Sequence, residues 1–322
     1  MGMVNQGSRL ALVFPGQGAQ KVGMGKALHD ADAEARAVFE RADRALGQSL
    51  SRICFEGPED LLRMTSTTQP AILTTSLAAW EVFRSRAGDR LAGRIACAAG
   101  HSLGEYSALV AAGALELEDA VRTVRRRGEY MQEAVPAGQG AMAAVLGIGA
   151  DEVRRLCEEA AGGEVLSAAN LNAPDQTVVA GSAASVERLT ALAKATGRGK
   201  VIRLPVSAPF HCALMTPARD RLAHDLGRLP IRDAAFPVVL NVSARPARAA
   251  EEIRRALVEQ VTAPVRWAET VAGFAGLGAT VQVEFGPGKV LTGLARRIAP
   301  ELRTLNVEDP VSLESTTQAL AA

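Results

Sequence analysis

The pentapeptide Gly100-His101-Ser102-Leu103-Gly104 constrains the fold more than any other feature of the sequence, because it fits the pattern G-x-S-x-G. An apolar run at 94–99 precedes it, and residues 105–112 can form a helix after it. In this setting a sharp strand-to-helix turn directs the serine side chain outward, and the flanking glycines prevent clashes within the turn. The segment predicts an α/β fold that presents Ser102 as a nucleophile. A glycine-punctuated turn with an exposed serine is the alternative.

Further short apolar runs predict the sheet to which this strand belongs. They lie at 10–14, 237–241 and 280–285, and helical segments separate them. Buried strands that alternate with helices are typical of a parallel sheet covered on both faces. We therefore expect a core built on a parallel sheet, with helices on both faces.

The middle of the chain predicts a second unit in the order β-α-β-β-α-β, which is typical of a ferredoxin-like fold. Ser182 is predicted to cap the second helix of this unit. We expect the unit to be a small subdomain inserted into the larger core. The predicted boundaries are 9–137 and 207–310 for the core, 138–206 for the small subdomain, and 1–8 and 311–322 for two flexible tails.

Charge and cysteine content exclude several classes of protein. The chain has 36 basic and 35 acidic residues, so it lacks the basic excess of a nucleic-acid-binding protein. No apolar run is long enough to span a bilayer, and we expect no membrane partner. The four cysteines are scattered without CxxC spacing, which favours reduced thiols in a cytoplasmic protein. We expect a monomer.

A serine nucleophile needs a base, and the sequence offers four histidines: His29, His101, His211 and His224. His211 is the best candidate because it follows a predicted strand and precedes a helix start at Thr216-Pro217. Open α/β sheets place their sites just beyond the carboxyl ends of strands. A structural loop histidine explains the position equally well. His101 is adjacent to Ser102, but neighbouring side chains in such a turn point in different directions.

Arg127 lies on or beside the buried stripe of a helix predicted over 117–135. A buried guanidinium is costly unless it meets an anion, and a carboxylate is its natural bidentate partner. An internal ion pair or a side chain that extends to solvent is the alternative. Spacing alone slightly favours these structural explanations.

Several motifs in one order resemble the malonyl-CoA:acyl-carrier-protein transacylases of bacterial fatty acid synthesis, and also the acyltransferase domains of polyketide synthases. The resemblance extends from about residue 10 to about residue 307. The motifs are Phe14-Pro-Gly-Gln-Gly-Ala-Gln20, Gly100-His-Ser-Leu-Gly-Glu-Tyr106, Met131-Gln-Glu-Ala-Val-Pro136, Phe210-His-Cys-Ala-Leu-Met215 and Gly286-Pro-Gly-Lys-Val-Leu291.

The resemblance implies an α/β-hydrolase-like core with an inserted ferredoxin-like subdomain, and it implies roles for five residues in catalysis. Ser102 is implied to be the acylated nucleophile and His211 its base. The backbone carbonyl of Gln260 is implied to orient His211, where a hydrolase would use an acidic residue. The backbone N–H groups of Gln17 and Leu103 are implied to bind the oxyanion.

The resemblance also implies four substrate-binding residues. Arg127 is implied to bind the malonyl carboxylate, and Asn170 and Asn172 to line the cleft. Phe210 resembles the malonyl-selective pattern of polyketide acyltransferases, because its bulk would meet an α-methyl group. The surrounding tetrapeptide, 208–211, matches that pattern only in part.

The implied reaction is a ping-pong transfer of malonyl from malonyl-CoA to the phosphopantetheine thiol of acyl carrier protein, without a metal or bound cofactor. A free-standing polyketide acyltransferase would use the same chemistry. An esterase or thioesterase would need an acid to orient its histidine and would gain nothing from a buried Arg127. A non-enzymatic module that docks a carrier protein would not need an intact serine, histidine and arginine.

Overall fold

Two β-sheets organise the chain, one mainly parallel and one antiparallel. The computed structural model describes residues 8–206 and 208–321. The strands within these ranges are β1 (Leu10–Phe14), β2 (Ile95–Gly100), β3 (Gly140–Leu146), β4 (Leu166–Ala173), β5 (Gln176–Ser182), β6 (Lys200–Arg203), β7 (Val238–Val239), β8 (Pro246–Ala247), β9 (Val281–Phe285) and β10 (Arg303–Val307).

Helices cover the sheets. Those in the described ranges are α1 (Lys26–Ala31), α2 (Ala33–Leu46), α3 (Leu50–Glu56), α4 (Glu59–Arg63), α5 (Thr65–Ala87), α6 (Gly104–Ala111), α7 (Leu117–Glu133), α8 (Ala150–Ala161), α9 (Ala183–Thr196), α10 (Thr216–Arg228), α11 (Ala250–Gln260), α12 (Trp267–Ala272), α13 (Val290–Ile298) and α14 (Pro310–Ala321). None of these described helices is both long and apolar enough to cross a membrane.

The first sheet has the strand order β10-β9-β1-β2-β7-β8, and only β8 runs antiparallel to its neighbour. The prediction of a mainly parallel α/β sheet is confirmed. The central strand β1 is fully buried, as expected for a strand covered on both faces. Because the other strands are parallel, their carboxyl ends meet at one edge, and Ser102 follows β2 at that edge.

The second sheet has the order β4-β5-β3-β6 and is antiparallel throughout. Its four strands lie within residues 140–203, and two helices come between them in the order β3-α8-β4-β5-α9-β6. Ser182 caps α9, because its Oγ accepts a hydrogen bond from the N–H of Ser185 at 3.1 Å. The last strand ends at Arg203, three residues before position 206, the predicted end of the small subdomain. Position 207, the predicted return to the core, lies outside the described residues.

The prediction of a flexible tail at 311–322 is wrong for the described residues up to 321, which belong to α14. The carboxylate of Asp309 accepts the N–H of Ser312 at 2.8 Å, so Asp309 satisfies a free donor at the start of this helix. Leu313 is fully buried, and Thr316 Oγ1 donates to the Asn306 carbonyl at 2.8 Å. The helix is therefore packed onto the fold. In the other predicted tail, residues 1–7 lie outside the described residues.

Helix α5 is buried along almost its whole length and passes beside the site. It starts at Thr65 and includes Pro70 in its second turn. Helix α7 packs closely on it, since a Cβ on Gly128 would lie 2.7 Å from the Ser66 Cα. This close approach brings the preceding residue, Arg127, next to Gln69.

Candidate active site

Ser102 stands in a strained turn between β2 and α6, with a φ of 53° in the left-handed region. The turn is so tight that a Cβ on Gly100 would lie 1.8 Å from the carbonyl carbon of Gly104. A Cβ on Gly104 would lie 2.1 Å from the Phe14 carbonyl oxygen of β1. Glycine is therefore required at both ends, and the geometry is that of a turn that exposes its serine at the edge of the sheet.

The Ser102 hydroxyl meets the imidazole of His211, with 2.8 Å between Oγ and Nε2. The opposite ring nitrogen, Nδ1, lies 2.8 Å from the backbone carbonyl oxygen of Gln260. Because a carbonyl only accepts, Nδ1 carries the proton and Nε2 is left to accept the proton of the serine. Gln260 is the last residue of α11, where carbonyl groups have no partner within the helix.

Burial, and after it the positive charge of Arg127, lowers the pKa of His211 to about 3. The imidazole is only 3 % exposed. It is therefore neutral at physiological pH in the free enzyme, the state in which Nε2 can accept a proton.

This lowered pKa predicts that the rate of nucleophilic reaction at Ser102 stays nearly constant as the pH falls from 7 to 5. We expect kcat/KM for reaction at Ser102 to change by less than about twofold between pH 7 and pH 5, whereas a base of ordinary pKa, near 6.5, would lose about 25-fold. Rapid-quench mass spectrometry across this range measures the rate. A decline centred near pH 6.5 would contradict the prediction.

The same shift affects stability with a definite sign. A histidine whose pKa is lower in the folded state stabilises the fold fully above its unfolded pKa, near 6.5, and this contribution is lost as the pH falls towards 3. Urea unfolding of the protein should therefore show a free energy of unfolding that decreases over this window. The decrease should be smaller in His211→Gln.

Arg127 is a buried cation that no carboxylate of the described residues pairs with. Its guanidinium is 1 % exposed and donates to Gln69 Oε1 at 2.7 Å, Gln260 Oε1 at 2.9 Å and Ser102 Oγ at 3.1 Å. Among residues 8–206 and 208–321, no Asp or Glu forms an ion pair with it. Neither structural explanation considered for Arg127, an internal ion pair or extension to solvent, agrees with this arrangement.

A buried polar network lies behind Ser102 and joins Gln260, Glu105 and Asn241. The Gln260 amide donates to the Ser102 carbonyl at 3.0 Å and to Glu105 Oε2 at 3.2 Å. Burial raises the pKa of Glu105 to about 7, while hydrogen bonds from Asn241 and Gln260 and the charge of Arg127 oppose the rise. The network fixes the side chain that in turn binds Arg127.

Sequence reasoning missed three residues of this site: Gln69, Glu105 and Asn241. Glu105 follows the turn directly, and Asn241 ends a predicted strand at the edge where open sheets place their sites, so both had a positional signal. Gln69 had none, because only the packing of α5 on α7 brings it to Arg127.

The two predicted oxyanion donors come from neighbouring loops. Leu103 precedes α6, so its N–H points from the positive end of that helix. Gln17 lies in the loop after β1, and its side-chain oxygen accepts from Gln69 Nε2 at 3.2 Å. Within the described chain, the backbone N–H of neither residue donates to a protein acceptor.

The remaining predicted residues differ in how closely the structure brings them to Ser102. Phe210 is buried immediately before His211. Asn172, in β4, lies 2.8 Å through its Oδ1 from Nε2 of His101, the neighbour of Ser102. Asn170 is also buried in β4 and forms a backbone bridge to Val265, and within the described chain no hydrogen bond joins its side chain to the site.

The parallel sheet and the hydroxyl–imidazole pair at its carboxyl edge, beside a buried guanidinium, define the chain as an acyltransferase. The family model described as "Acyl transferase domain" matches residues 11–308. The malonyl CoA-acyl carrier protein transacylase of Bacillus subtilis is 45% identical over 314 residues, which cover 97% of this chain and 98% of the relative. The Escherichia coli K12 protein of the same name is 44% identical over 306 residues, or 95% and 98% of the two chains. The chain belongs to the malonyl CoA-acyl carrier protein transacylase family.

Solved structures agree with this assignment. The malonyl CoA-acyl carrier protein transacylase of Coxiella burnetii superposes with a TM-score of 0.94 at 40% identity, covering 98% of this chain and 99% of that one. A malonyl-transacylase in complex with its type II polyketide synthase acyl-carrier protein superposes with a TM-score of 0.93 at 43% identity, covering 97% and 100%. The family resemblance identified in the sequence is confirmed.

Proposed function

We propose that this protein transfers a malonyl group from malonyl-CoA to the phosphopantetheine thiol of an acyl carrier protein, through a malonyl ester of Ser102. The observation that carries the proposal is the buried Arg127 guanidinium, which forms no ion pair with a described carboxylate and lies 3.1 Å from the Ser102 hydroxyl. A buried cation at this distance suits an acyl group that ends in a carboxylate. The names of the relatives support the same substrates.

In the first step, the malonyl carboxylate binds Arg127 and displaces weaker contacts of the guanidinium. This fixes the thioester carbonyl near Ser102. The attack of the hydroxyl then occurs between two groups that are already held together, as in a unimolecular reaction. The carboxylate also offsets the charge of Arg127, one of the two main causes that lower the pKa of His211. The base therefore becomes stronger when the substrate is bound.

In the second step, Ser102 Oγ attacks the thioester carbonyl carbon while His211 Nε2 accepts the hydroxyl proton. The N–H groups of Gln17 and Leu103 donate to the oxyanion of the tetrahedral intermediate. The C–S bond then breaks, and the coenzyme A thiolate leaves with the proton from His211. The products are free coenzyme A and malonyl-Ser102.

In the last step, the phosphopantetheine thiol of the carrier protein gives its proton to His211 and attacks the ester. The ester C–O bond breaks, and the proton returns to Ser102. This is a ping-pong reaction with a covalent intermediate. The scheme uses only side chains and backbone groups of one chain, so we propose that a monomer carries it without a metal or bound cofactor.

A hydrolase is the weaker alternative. Its histidine would be oriented by an acid, and here the Gln260 carbonyl occupies that position at 2.8 Å from Nδ1. A polyketide acyltransferase would carry out the same chemistry at the same site, and one structural relative is bound to a type II polyketide synthase carrier protein. The two differ in the carrier protein that accepts the malonyl group.

Transfer and hydrolysis are distinguished by one assay. The protein is given malonyl-CoA with or without holo-acyl carrier protein from a fatty acid pathway, and malonyl-carrier protein and free malonate are measured by mass spectrometry. We expect coenzyme A release to accelerate when carrier protein is added, with malonyl-carrier protein as the product. Free malonate as the only product in both reactions would support a thioesterase and refute the proposal.

Phe210→Ser tests the selectivity against an α-methyl group. Removing the ring should admit methylmalonyl-CoA, and we expect its kcat/KM relative to malonyl-CoA to rise about tenfold or more, as for added space in a binding pocket. The ratio for each variant is measured by competition between the two thioesters. Thermal unfolding checks that the loss of a buried ring has not unfolded the chain. An unchanged ratio would show that another residue sets this selectivity.

A further inference from the structure

The side-chain amide of Asn241 bridges the backbone on both sides of the serine turn. Its Oδ1 accepts from the N–H of Ser102 at 2.8 Å, and its Nδ2 donates to the carbonyl of Gly100 at 2.7 Å. Asn241 is fully buried and follows β7, the parallel neighbour of β2, so the two strands end side by side. The amide thus joins the last residue of β2 to the nucleophile two positions later.

The bridge binds a segment of backbone that is in an unfavourable conformation. Ser102 has a φ of 53°, a region that non-glycine residues seldom adopt unless the surroundings impose it. A side chain that binds both Ser102 and Gly100 fixes the peptide between them in its strained conformation. The direction of the Ser102 side chain towards His211 depends on that conformation.

Asn241 is itself held from two sides. Its N–H donates to Glu105 Oε2 at 2.8 Å, and its carbonyl accepts from the N–H of Arg266 at 3.0 Å. The same Glu105 oxygen accepts from Gln260 Nε2 at 3.2 Å, and this amide also approaches Asn241 Oδ1 at 3.3 Å. Glu105 is fully buried and belongs to the first turn of α6, the helix that begins at the serine turn.

We propose that Asn241 is a positioning residue that fixes the conformation of the nucleophile, Ser102, and that Glu105 in turn fixes the position of Asn241. The inference rests on the proposed function, in which Ser102 is acylated. It also explains which backbone group serves the oxyanion on this side of the site. The Ser102 N–H is occupied by Asn241, so the donor left free is the N–H of Leu103.

The test separates the rate of serine acylation from substrate binding. Asn241→Ala should lower the single-turnover rate of Ser102 malonylation at saturating malonyl-CoA about 100-fold, the scale expected when a reacting atom is misplaced by about 1 Å. The dissociation constant for malonyl-CoA, measured by titration calorimetry in a Ser102→Ala background, should change by less than about twofold, because Asn241 does not contact the bound carboxylate in the scheme.

Thr316→Val is the matched control, since it removes a part-buried hydrogen bond from Thr316 in α14 to the Asn306 carbonyl in β10. It should lower stability without changing the acylation rate. If wild type is malonylated on Ser102 and a folded Asn241→Ala variant reacts equally fast, the Asn241 inference is wrong. If wild type itself is not malonylated, it is the proposed function that fails.

A pair of Glu105 variants provides an independent measurement, which decides the matter if Asn241→Ala does not fold. Both bonds of Glu105 use a single oxygen, Oε2, so the amide oxygen of a glutamine can accept both. Glu105→Gln should therefore acylate at least about tenfold faster than Glu105→Ala, with similar affinity for malonyl-CoA. Equal rates for the two variants would overturn the role of Glu105 in holding Asn241.

Discussion

Arg127→Ala is expected to lower kcat/KM for malonyl-CoA about 10³-fold, because removing one partner of a buried charge pair typically costs 3–5 kcal/mol. The site then presents Gln69 and Gln260 side-chain oxygens, which repel rather than bind the malonyl carboxylate. Turnover of acetyl-CoA, which has no second carboxylate, should change by less than about tenfold. The preference for malonyl over acetyl should therefore disappear.

Arg126→Ala is the matched control, because Arg126 is the preceding residue of the same helix but is 46% exposed and paired with Asp225. It should leave both rates unchanged. Arg127→Lys keeps the charge but loses the planar pair of donors of a guanidinium. We therefore expect its preference for malonyl over acetyl to lie between those of wild type and Arg127→Ala. Competition assays with mixed thioesters measure all three variants. A malonyl preference that survives in Arg127→Ala would remove Arg127 from its proposed role.

Ser102→Ala is expected to abolish acyl transfer, with a decrease in kcat of about 10⁶-fold, as for the loss of the nucleophile in a serine protease. No covalent malonyl adduct should form, because neither His211 nor Arg127 can replace the hydroxyl. The measurement combines steady-state transfer to carrier protein with the intact mass of the protein after exposure to malonyl-CoA.

Ser107→Ala provides the control for this loss. Ser107 is another fully buried serine in the helix that follows the turn, and among the described residues its hydroxyl has no hydrogen-bond partner. The variant should keep the wild-type adduct and turnover. An adduct that persists in Ser102→Ala would place the acyl ester on another residue and refute the assignment of the nucleophile.

The local part of the site could be predicted from the sequence. Ser102 is defined by a run of residues that forms a strand, a turn and a helix, and the glycine at 100 is required by a distance within that turn. The parallel sheet followed from the alternation of apolar runs with helical segments. Both predictions use patterns among residues that are close in the chain.

The rest of the site depends on contacts between distant segments. The partner of His211 Nδ1 is a backbone carbonyl, at Gln260, and no side-chain type marks such a group. The role of Gln260 was predicted from the resemblance to a family, and the spacing of residues in the chain gave no indication of it. Gln69 and Asn241 meet Arg127 and Ser102 only because α5 packs on α7 and because β7 pairs with β2.

Two features at the C-terminal end were not predicted, and the causes are simpler. The first is strand β10, which is short and lies at the edge of the sheet, where only Val307 is fully buried, so its apolar pattern is weak. The second is helix α14, where a flexible tail was predicted although Asp309-Pro310, a capping residue followed by proline, is a signal for a helix start.

The most direct test is to expose the wild-type protein briefly to malonyl-CoA and locate the acyl ester by peptide mass spectrometry, before and after addition of holo-acyl carrier protein. The account predicts a single malonyl ester on Ser102 that disappears as malonyl-carrier protein forms. An ester on a different residue, or no ester while malonyl-CoA is consumed, would contradict it.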